Sequence, residues 1–389
     1  MKKIAVVTTT RAEYGLLRPV IIELKKYENK DLKVELIVSG THLSERFGMT
    51  VNEIRKDGLR IDIEIPVSLE TASSLSISHN QAETLIKFTE VFQNVHYDGI
   101  VLLGDRYEMM AIAIAACNTQ TPIFHLCGGD ITEGAVDECI RHSITKMSYL
   151  HFPTNEESRN RVIQLGEAPE RVFNYGSTSI DNIKQLPLLS KHEAMQRVNC
   201  RNEHFVVCTY HPVTLEKNNI GKIMDEFFAA IEFFPEIDFI VTKSNADQGG
   251  DIINELLDKK EIEINNLHVF SSLGVLRYLS LVKYSLLVLG NSSSGIIEVP
   301  ALGVPTVNIG DRQKGRLRCD SIIDCNSDRQ SIITAMQLAL SPKFREKSKR
   351  VISPFGDGNA ARKIAAKCIE AVNAGIDLKK KFYNLEFSI

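Results

Sequence analysis

Short, almost wholly apolar runs alternate with longer amphipathic ones along most of this chain, and that alternation restricts the fold more than any other feature. In the first half the runs are IAVVTTT (4–10), KVELIVSG (33–40), IDIEIPV (61–67), GIVLLGD (99–105), PIFHL (122–126), HFPT (151–154) and RVFNYG (171–176). Apolar residues at helical spacing lie between them, at 18–26, 84–95, 109–117 and 136–147. A strand with no polar alternation must be covered on both faces. Strand–helix repeats of this kind therefore predict a parallel sheet with helices on either side.

A polar segment, 183–203, interrupts the pattern, which then restarts with FVVCTYH (205–211), DFIVTKS (238–244), LHVFSS (267–272), SLLVLGN (285–291) and PTVNIG (305–310). A chain of 389 residues is also long for one core. The reading is α/β, with two doubly wound domains at 1–185 and 200–358, joined by a linker. A terminal helix and tail, 359–389, are expected to pack back on the first domain.

Bulk properties narrow the partners. A net charge of −3 gives no broad attraction for nucleic acid, so an anion site must be local. No run reaches 18 apolar residues, which removes a membrane span. The eight cysteines are scattered without a CxxC, and MKKIAVVTTT is too short an apolar run for a signal peptide. Reduced thiols and a cytoplasmic location follow as expectations.

Ligands of open α/β sheets sit beyond the carboxyl ends of the strands. Two post-strand segments suit an anion there, TTTRAEYG (8–15) and GNSSSGIIEVPALGVP (290–305). Small residues feeding a helix offer backbone N–H groups and the positive end of its dipole. Ser292 and Ser293 add hydroxyls, Glu298 can take two sugar hydroxyls, and Arg312, Lys314 and Arg316 follow the next strand. A plain N-cap serine cluster on a structural helix would read the same way. His211 in YHPVT and the KSNADQGG run (243–250) share this rim, although a lone His after a strand is as often structural. Neither GxGxxG nor GxxxxGK[ST] is present, so a dinucleotide cofactor and a P-loop are not expected.

The first half carries its own rim in GDRYE (104–108) and CGGDITEGAVDECIRH (127–142). Asp105 follows an apolar strand, where partial burial would raise its pKa, while Arg106 would oppose that or hold phosphate. Gly128 and Gly129 permit close approach of a ligand. Asp137 and Glu138 open a helix, with Arg141 and His142 one turn on. Acids drawn to a helix dipole explain this pattern as well as proton transfer does. His125, Cys127, Asp130 and His142 are metal-ligand types, but their spacing fits no standard zinc site. Cys127 lacks the signature of a Cys nucleophile.

Taken together, TRAEYG, GDRYE, HLCGGD, VDECIRHSITKMSYLHF, HPVT and GNSSSGIIEVPALGVPTVNIGDRQ resemble the hydrolysing UDP-N-acetylglucosamine 2-epimerases, which begin nonulosonic (sialic-type) acid synthesis. The resemblance covers nearly the whole chain. It implies two Rossmann-like domains in a glycosyltransferase-B arrangement, with the nucleotide sugar in the cleft between them. It implies UDP contacts from Arg11, Ser292, Ser293, Glu298 and Arg312. His42, Arg106, Cys127, Asp130, Arg141 and Asn245 would line the substrate. Asp105 and Asp137 match the catalytic acids, and His211 and Glu138 complete the catalytic set. One position departs, because Cys127 stands where relatives of the sialic acid pathway often have Glu, and the loop after it is one residue longer.

The implied reaction needs neither metal nor redox cofactor. UDP leaves carbon 1, a carboxylate takes the proton from carbon 2, and the 2-acetamidoglucal is then hydrated to N-acetylmannosamine. UDP-N-acetylglucosamine and a UDP-2,4-diacetamido-trideoxy sugar are both open as substrates. Rival readings are a non-hydrolysing epimerase, a glycosyltransferase of the same architecture and a nucleotide-sugar-binding regulator. A homodimer or homotetramer is expected.

Overall fold

The computed structural model describes residues 1–69, 73–133, 136–212, 220–244 and 249–386. The chain divides into two compact units, one formed by 1–130, 137–182 and 355–389, the other by 131–136 and 183–354.

The first unit contains β1 (Lys2–Thr8), β2 (Leu32–Ser39), β3 (Ile63–Ile65), β4 (Gly99–Leu103), β5 (Ile123–Leu126) and β6 (Leu150–Phe152). They form one parallel sheet in the order β3-β2-β1-β4-β5-β6. Its helices are α1 (Arg11–Lys25), α2 (Val51–Lys56), α3 (Ser74–Asn94), α4 (Tyr107–Asn118), α5 (Asp137–Met147), α6 (Glu156–Gln164) and α7 (Thr178–Gln185), which runs just past the boundary. The last five residues of β1 are all buried, and the pleat sends them to two cores. Ile4 and Val6 pack with Leu17, Val20 and Leu24 of α1, while Ala5 and Val7 meet Phe88 of α3 and Ile112 of α4.

The second unit repeats the plan. Its strands are β7 (Phe205–Thr209), β8 (Asp238–Thr242), β9 (Leu267–Phe270), β10 (Val288–Gly290), β11 (Thr306–Ile309) and β12 (Ile322–Cys325), in the order β12-β11-β10-β7-β8-β9. Its helices are α8 (Lys191–Gln196), α9 (Ile220–Glu232), α10 (Gly250–Glu263), α11 (Gly274–Tyr284), α12 (Ser294–Ala301), α13 (Arg329–Leu340) and α14 (Pro342–Ser348). The final helix, α15 (Ala360–Ala374), belongs to the first unit, where Ile364 and Cys368 join the core around α1. Asp181 caps it, accepting from Ala360 N at 3.1 Å and Ala361 N at 3.0 Å.

Several sequence expectations are corrected. RVFNYG is not a strand; it meets β6 at the isolated His151–Val172 bridge, where Phe173 N donates to His151 O at 2.9 Å. Its rings are spent in stacking, with Phe152, Phe173 and Tyr175 mutually in contact. Helix α1 begins at Arg11 rather than Arg18, because Thr10 and Glu13 form a capping box. The polar segment 183–203 is no free linker, since Ala194, Met195, Val198 and Cys200 are buried in the second unit. Strand β12 was not anticipated.

Candidate active site

In each sheet the strand order reverses at one place, between β1 and β4 and between β7 and β10. Connections there diverge to opposite faces and leave a crevice at the strands' carboxyl ends, which is where such sheets bind ligands. The loops leaving these four strands are those of Thr9–Arg11, Gly104–Arg106, Tyr210–His211 and Asn291–Ser293.

In the first unit the residues leading into α1 are tied to a carboxylate of the helix itself. Glu13 Oε2 accepts from Thr9 N at 2.7 Å, Thr9 Oγ1 at 2.9 Å and Thr10 N at 3.1 Å. The chain's own carboxylate thus takes the two amides just ahead of α1. Burial pushes the Glu13 carboxyl up to about 7, with Arg106 opposing and Glu108 reinforcing the rise. Arg106 Nε reaches Glu108 Oε2 at 3.3 Å. Arg11, half-buried at the same end, has its pKa lowered by burial, with Glu53 acting the other way.

Arg141 is the hub of the rim formed by GDRYE and the start of α5. It is 1% exposed and donates through Nε to Asp105 Oδ2 at 2.8 Å, and through a second nitrogen to the same oxygen. Its remaining terminal nitrogen reaches Asp130 O at 2.7 Å and Glu138 Oε2 at 3.1 Å. Burial works against the Arg141 charge, but Asp105, Asp130 and Glu138 outweigh it and hold the pKa above its ordinary value. Glu138 Oε1 lies 3.0 Å from His142 Nε2. Asp137, half-buried, is the first residue of α5 beside Glu138.

Cys127 follows β5 with φ at +64°, a left-handed conformation seldom adopted by a side chain-bearing residue. Its amide donates to Phe152 O at 3.0 Å. Both glycines have an internal cause, since a Cβ on Gly129 would lie 2.2 Å from Ser158 O and one on Gly128 2.9 Å from Thr145 Oγ1. Asp130 is also turned inward, with Ser158 Oγ donating to its carboxylate at 2.6 Å. Gly134 and Ala135 of that stretch lie outside the described residues, and the neighbouring Glu133 belongs to the second unit, 3.7 Å from Lys314 Nζ.

His42 is corrected from substrate-lining to core. It is fully buried, with Nε2 3.0 Å from Thr8 Oγ1 and Nδ1 2.8 Å from Thr50 Oγ1. Burial drives its pKa down to about 4, so it is a neutral ring tying β1 to the 3₁₀ turn after β2. The metal-type residues are dispersed in the same way. His125 faces Gly104 O at 2.9 Å and Thr145 Oγ1 at 3.3 Å. Among the described residues no three His, Cys, Asp or Glu side chains are placed to hold a metal ion.

In the second unit Asn291 stitches the two crevice loops. Its Oδ1 accepts from His211 N at 2.7 Å and its Nδ2 donates to His211 O at 2.8 Å. Arg312 and Gln313 both donate to Asn291 O, at 3.1 and 2.8 Å. His211 Nδ1 stands 3.1 Å from Ser244 Oγ. Ser293 makes no side-chain cap for α12, whereas Ser292 Oγ accepts from Ser294 N, the first residue of the helix, at 3.4 Å. Glu298 lies one turn into that helix, and burial raises its pKa against a hydrogen bond with Ser294. Gly290, at φ +136°, is obligatory because a Cβ would meet Thr209 O at 2.0 Å. Asn245, Val213 and Thr214 lie outside the described residues.

The sequence profile of the UDP-N-acetylglucosamine 2-epimerases matches residues 25–369. The chain belongs to this 2-epimerase family. Over 386 residues it is 38% identical to the GDP/UDP-N,N'-diacetylbacillosamine 2-epimerase (hydrolyzing) of Campylobacter jejuni, covering 99% of each chain. It is 40% identical over 363 residues to polysialic acid biosynthesis protein P7 of Escherichia coli, covering 92% of each. The crystal structure of the Neisseria meningitidis UDP-GlcNAc 2-epimerase bound to UDP-GlcNAc superposes with a TM-score of 0.79 at 21% identity, covering 95% of this chain and 100% of that one. The fold is thus that of the 2-epimerases, two Rossmann-like domains of the glycosyltransferase-B class.

Within this family framework the structure adds residues that sequence reading passed over. Glu13 and Glu108 are both buried at the first crevice, each with one carboxylate oxygen that lacks a hydrogen-bond partner among the described residues. The T-x-x-E spacing at 10–13 was a visible signal for Glu13. Glu108 lies within GDRYE, a segment legible as rim, but the sequence alone points to no role for it. Asn291 was legible only as part of a small-residue run.

Proposed function

We propose that this chain is a hydrolysing 2-epimerase of a UDP-linked 2-acetamido sugar, releasing UDP and the free 2-epimer. The observation that carries the reading is the gathering of Asp105 and Glu138 around buried Arg141, with Asp137 in the same helical turn as Glu138. Binding alone does not call for such a set of proton carriers.

In this reading Ser292, Ser293 and Arg312 hold the diphosphate, with hydroxyls and a guanidinium suited to its oxygens. Glu298 takes the ribose hydroxyls, and Arg11 and Arg106 stabilise negative charge as UDP departs. The C1–O bond breaks with its electron pair leaving on UDP, and one of Asp105 and Asp137 takes the proton from carbon 2. The resulting 2-acetamidoglucal gains hydroxide character at carbon 1 from water, and the other acid returns a proton to carbon 2 from the opposite face. Glu138 and His142, hydrogen-bonded to each other, relay the proton taken from water. His211, fixed by Asn291, orients the phosphate end.

UDP-N-acetylglucosamine, giving N-acetylmannosamine, is the first substrate reading. The 38% identity to a diacetylbacillosamine epimerase supports a second, the 2,4-diacetamido-trideoxy sugar. The reading includes a cytoplasmic homodimer or homotetramer, which light scattering on the purified protein checks. Incubation with each UDP-sugar in heavy water, followed by proton NMR, tests the chemistry. Free 2-epimer deuterated at carbon 2 is the expected product. Accumulation of the UDP-linked epimer without free sugar would overturn the hydrolytic step.

A further inference from the structure

The acid-bearing helix α5 is held at its far end by a residue from the C-terminal tail. Lys380 Nζ donates to Lys146 O at 3.0 Å, to Ser148 O at 2.7 Å and to Glu167 Oε2 at 2.7 Å. Those three acceptors use every proton of an ammonium group. Lys146 and Ser148 lie at the carboxyl end of α5, whose last carbonyls lack intrahelical partners and where the dipole favours a cation.

Glu167, 1% exposed, is the anchor. It also receives Lys146 Nζ at 2.6 Å and His151 Nε2 at 2.9 Å. His151 sits in β6 in register with His125 of β5, and His125 faces the carbonyl of Gly104, the residue before Asp105. The tail itself is seated on the α6–β6 side of this unit. Tyr383 N donates to Gly166 O at 2.9 Å, and the Phe382 ring lies so close over Gly166 that a Cβ there would be 2.4 Å from it, with Lys146 Nζ 5.0 Å from the ring centre.

The opposite end of α5 carries Asp137 and Glu138, and its second turn carries Arg141, which grips Asp105. A helix of this length, roughly 16 Å, behaves as a short rod, so a shift at one end moves the other. Proton transfer loses efficiency when groups are misplaced by about 0.5–1 Å. We propose that Lys380 is a positioning residue: by capping the carboxyl end of α5 and pairing with Glu167, it sets the placement of the carboxylates in the first turn of that helix. The role rests on the function proposed above, but the clamp itself does not.

The experiment uses the full chain with Lys380→Met and Lys380→Arg. It reads hydrogen exchange of α5, UDP affinity by calorimetry, and kcat and KM on whichever UDP-sugar the wild type turns over. In Lys380→Met, exchange of the amides around 144–149 should quicken at least about tenfold as the last turn loses its cap, and kcat should fall about tenfold or more. KM and UDP affinity should stay within about twofold, and Lys380→Arg should restore most of the rate. Unchanged exchange would overturn the clamp, and faster exchange with an unchanged kcat would overturn the positioning role. If Lys380→Met does not fold, Phe382→Ala loosens the same tail with all charges in place and is judged by the same two readouts. A wild type that turns over neither sugar refutes the proposed function, while the exchange data still decide the clamp.

Discussion

Arg141 presents two of its nitrogens to a single oxygen of Asp105, with Nε at 2.8 Å, while a third nitrogen serves Glu138 and the backbone of Asp130. One buried cation thus fixes two carboxylates that arrive from different places in the sequence. Removing it would leave those anions without their common partner, and breaking a buried pair from one side is costly. Arg141→Met should therefore lose about 3–5 kcal/mol of stability, read as a lowered thermal midpoint. A midpoint within a degree of wild type would mean that the pairing contributes nothing.

The proton work should depend on Asp105 and Asp137 rather than on the thiol between them in sequence. Asp105→Asn and Asp137→Asn should each lower kcat about a hundredfold or more, the usual scale for general acid–base loss. Cys127→Ser should stay within roughly tenfold, mostly in KM, if Cys127 lines the substrate as proposed rather than taking part in the chemistry. The left-handed backbone at Cys127 adds a separate expectation. Cys127→Val should cost about 1–2 kcal/mol that Ser does not, because a β-branched residue strains that conformation further. Should Cys127→Ser be as inactive as Asp105→Asn while Asp137→Asn survives, the thiol takes part in the chemistry.

Diphosphate binding should rest on Arg312 and the serine loop. Arg312 is oriented by Asn291 O, the carbonyl immediately ahead of Ser292 and Ser293. Arg312→Ala should weaken UDP affinity about tenfold or more by calorimetry, the loss of a charge-assisted contact of roughly 1.5–3 kcal/mol. EDTA should leave turnover unchanged, because the proposed anion contacts are guanidinium and hydroxyl groups. Loss of activity restored by a divalent ion would contradict that.

Much of the fold was legible because both sheets are buried on two faces, so their strands stand out as unbroken apolar runs. Strand β12 escaped because IIDC is an edge strand, in which no residue is fully buried. RVFNYG misled because aromatic and β-branched residues mark strands only when they pack on a pleat, and here Phe173 and Tyr175 stack on Phe152 instead. The candidate site was legible as loops after strands. Which residues face a ligand was not. His42 has the right residue type on the right loop, yet both its nitrogens are satisfied by threonines inside the unit. Arg141 read as one of several charges near the start of a helix, and only the approach of the loop after β4 to α5 makes it the partner of Asp105.

Glu13 offers a pH test that needs no substrate. Its carboxyl is pushed up to about 7 chiefly by burial, against an ordinary value of 4.5. Between those two pH values the folded chain holds a proton that the unfolded chain has released, so folding becomes less favourable as pH rises. The deficit is absent below about 4.5 and complete above about 7. Glu13→Gln keeps an oxygen for the amides of Thr9 and Thr10 but does not titrate. Relative to wild type, its thermal midpoint should therefore match near pH 4, pull ahead through pH 5 and 6, and level off above pH 7. The gain should be on the order of 2 kcal/mol. A wild type that instead gains on Glu13→Gln with rising pH would show that the amides of α1 and Arg106 overcome burial, and that Glu13 is a stabilised anion at the head of the helix.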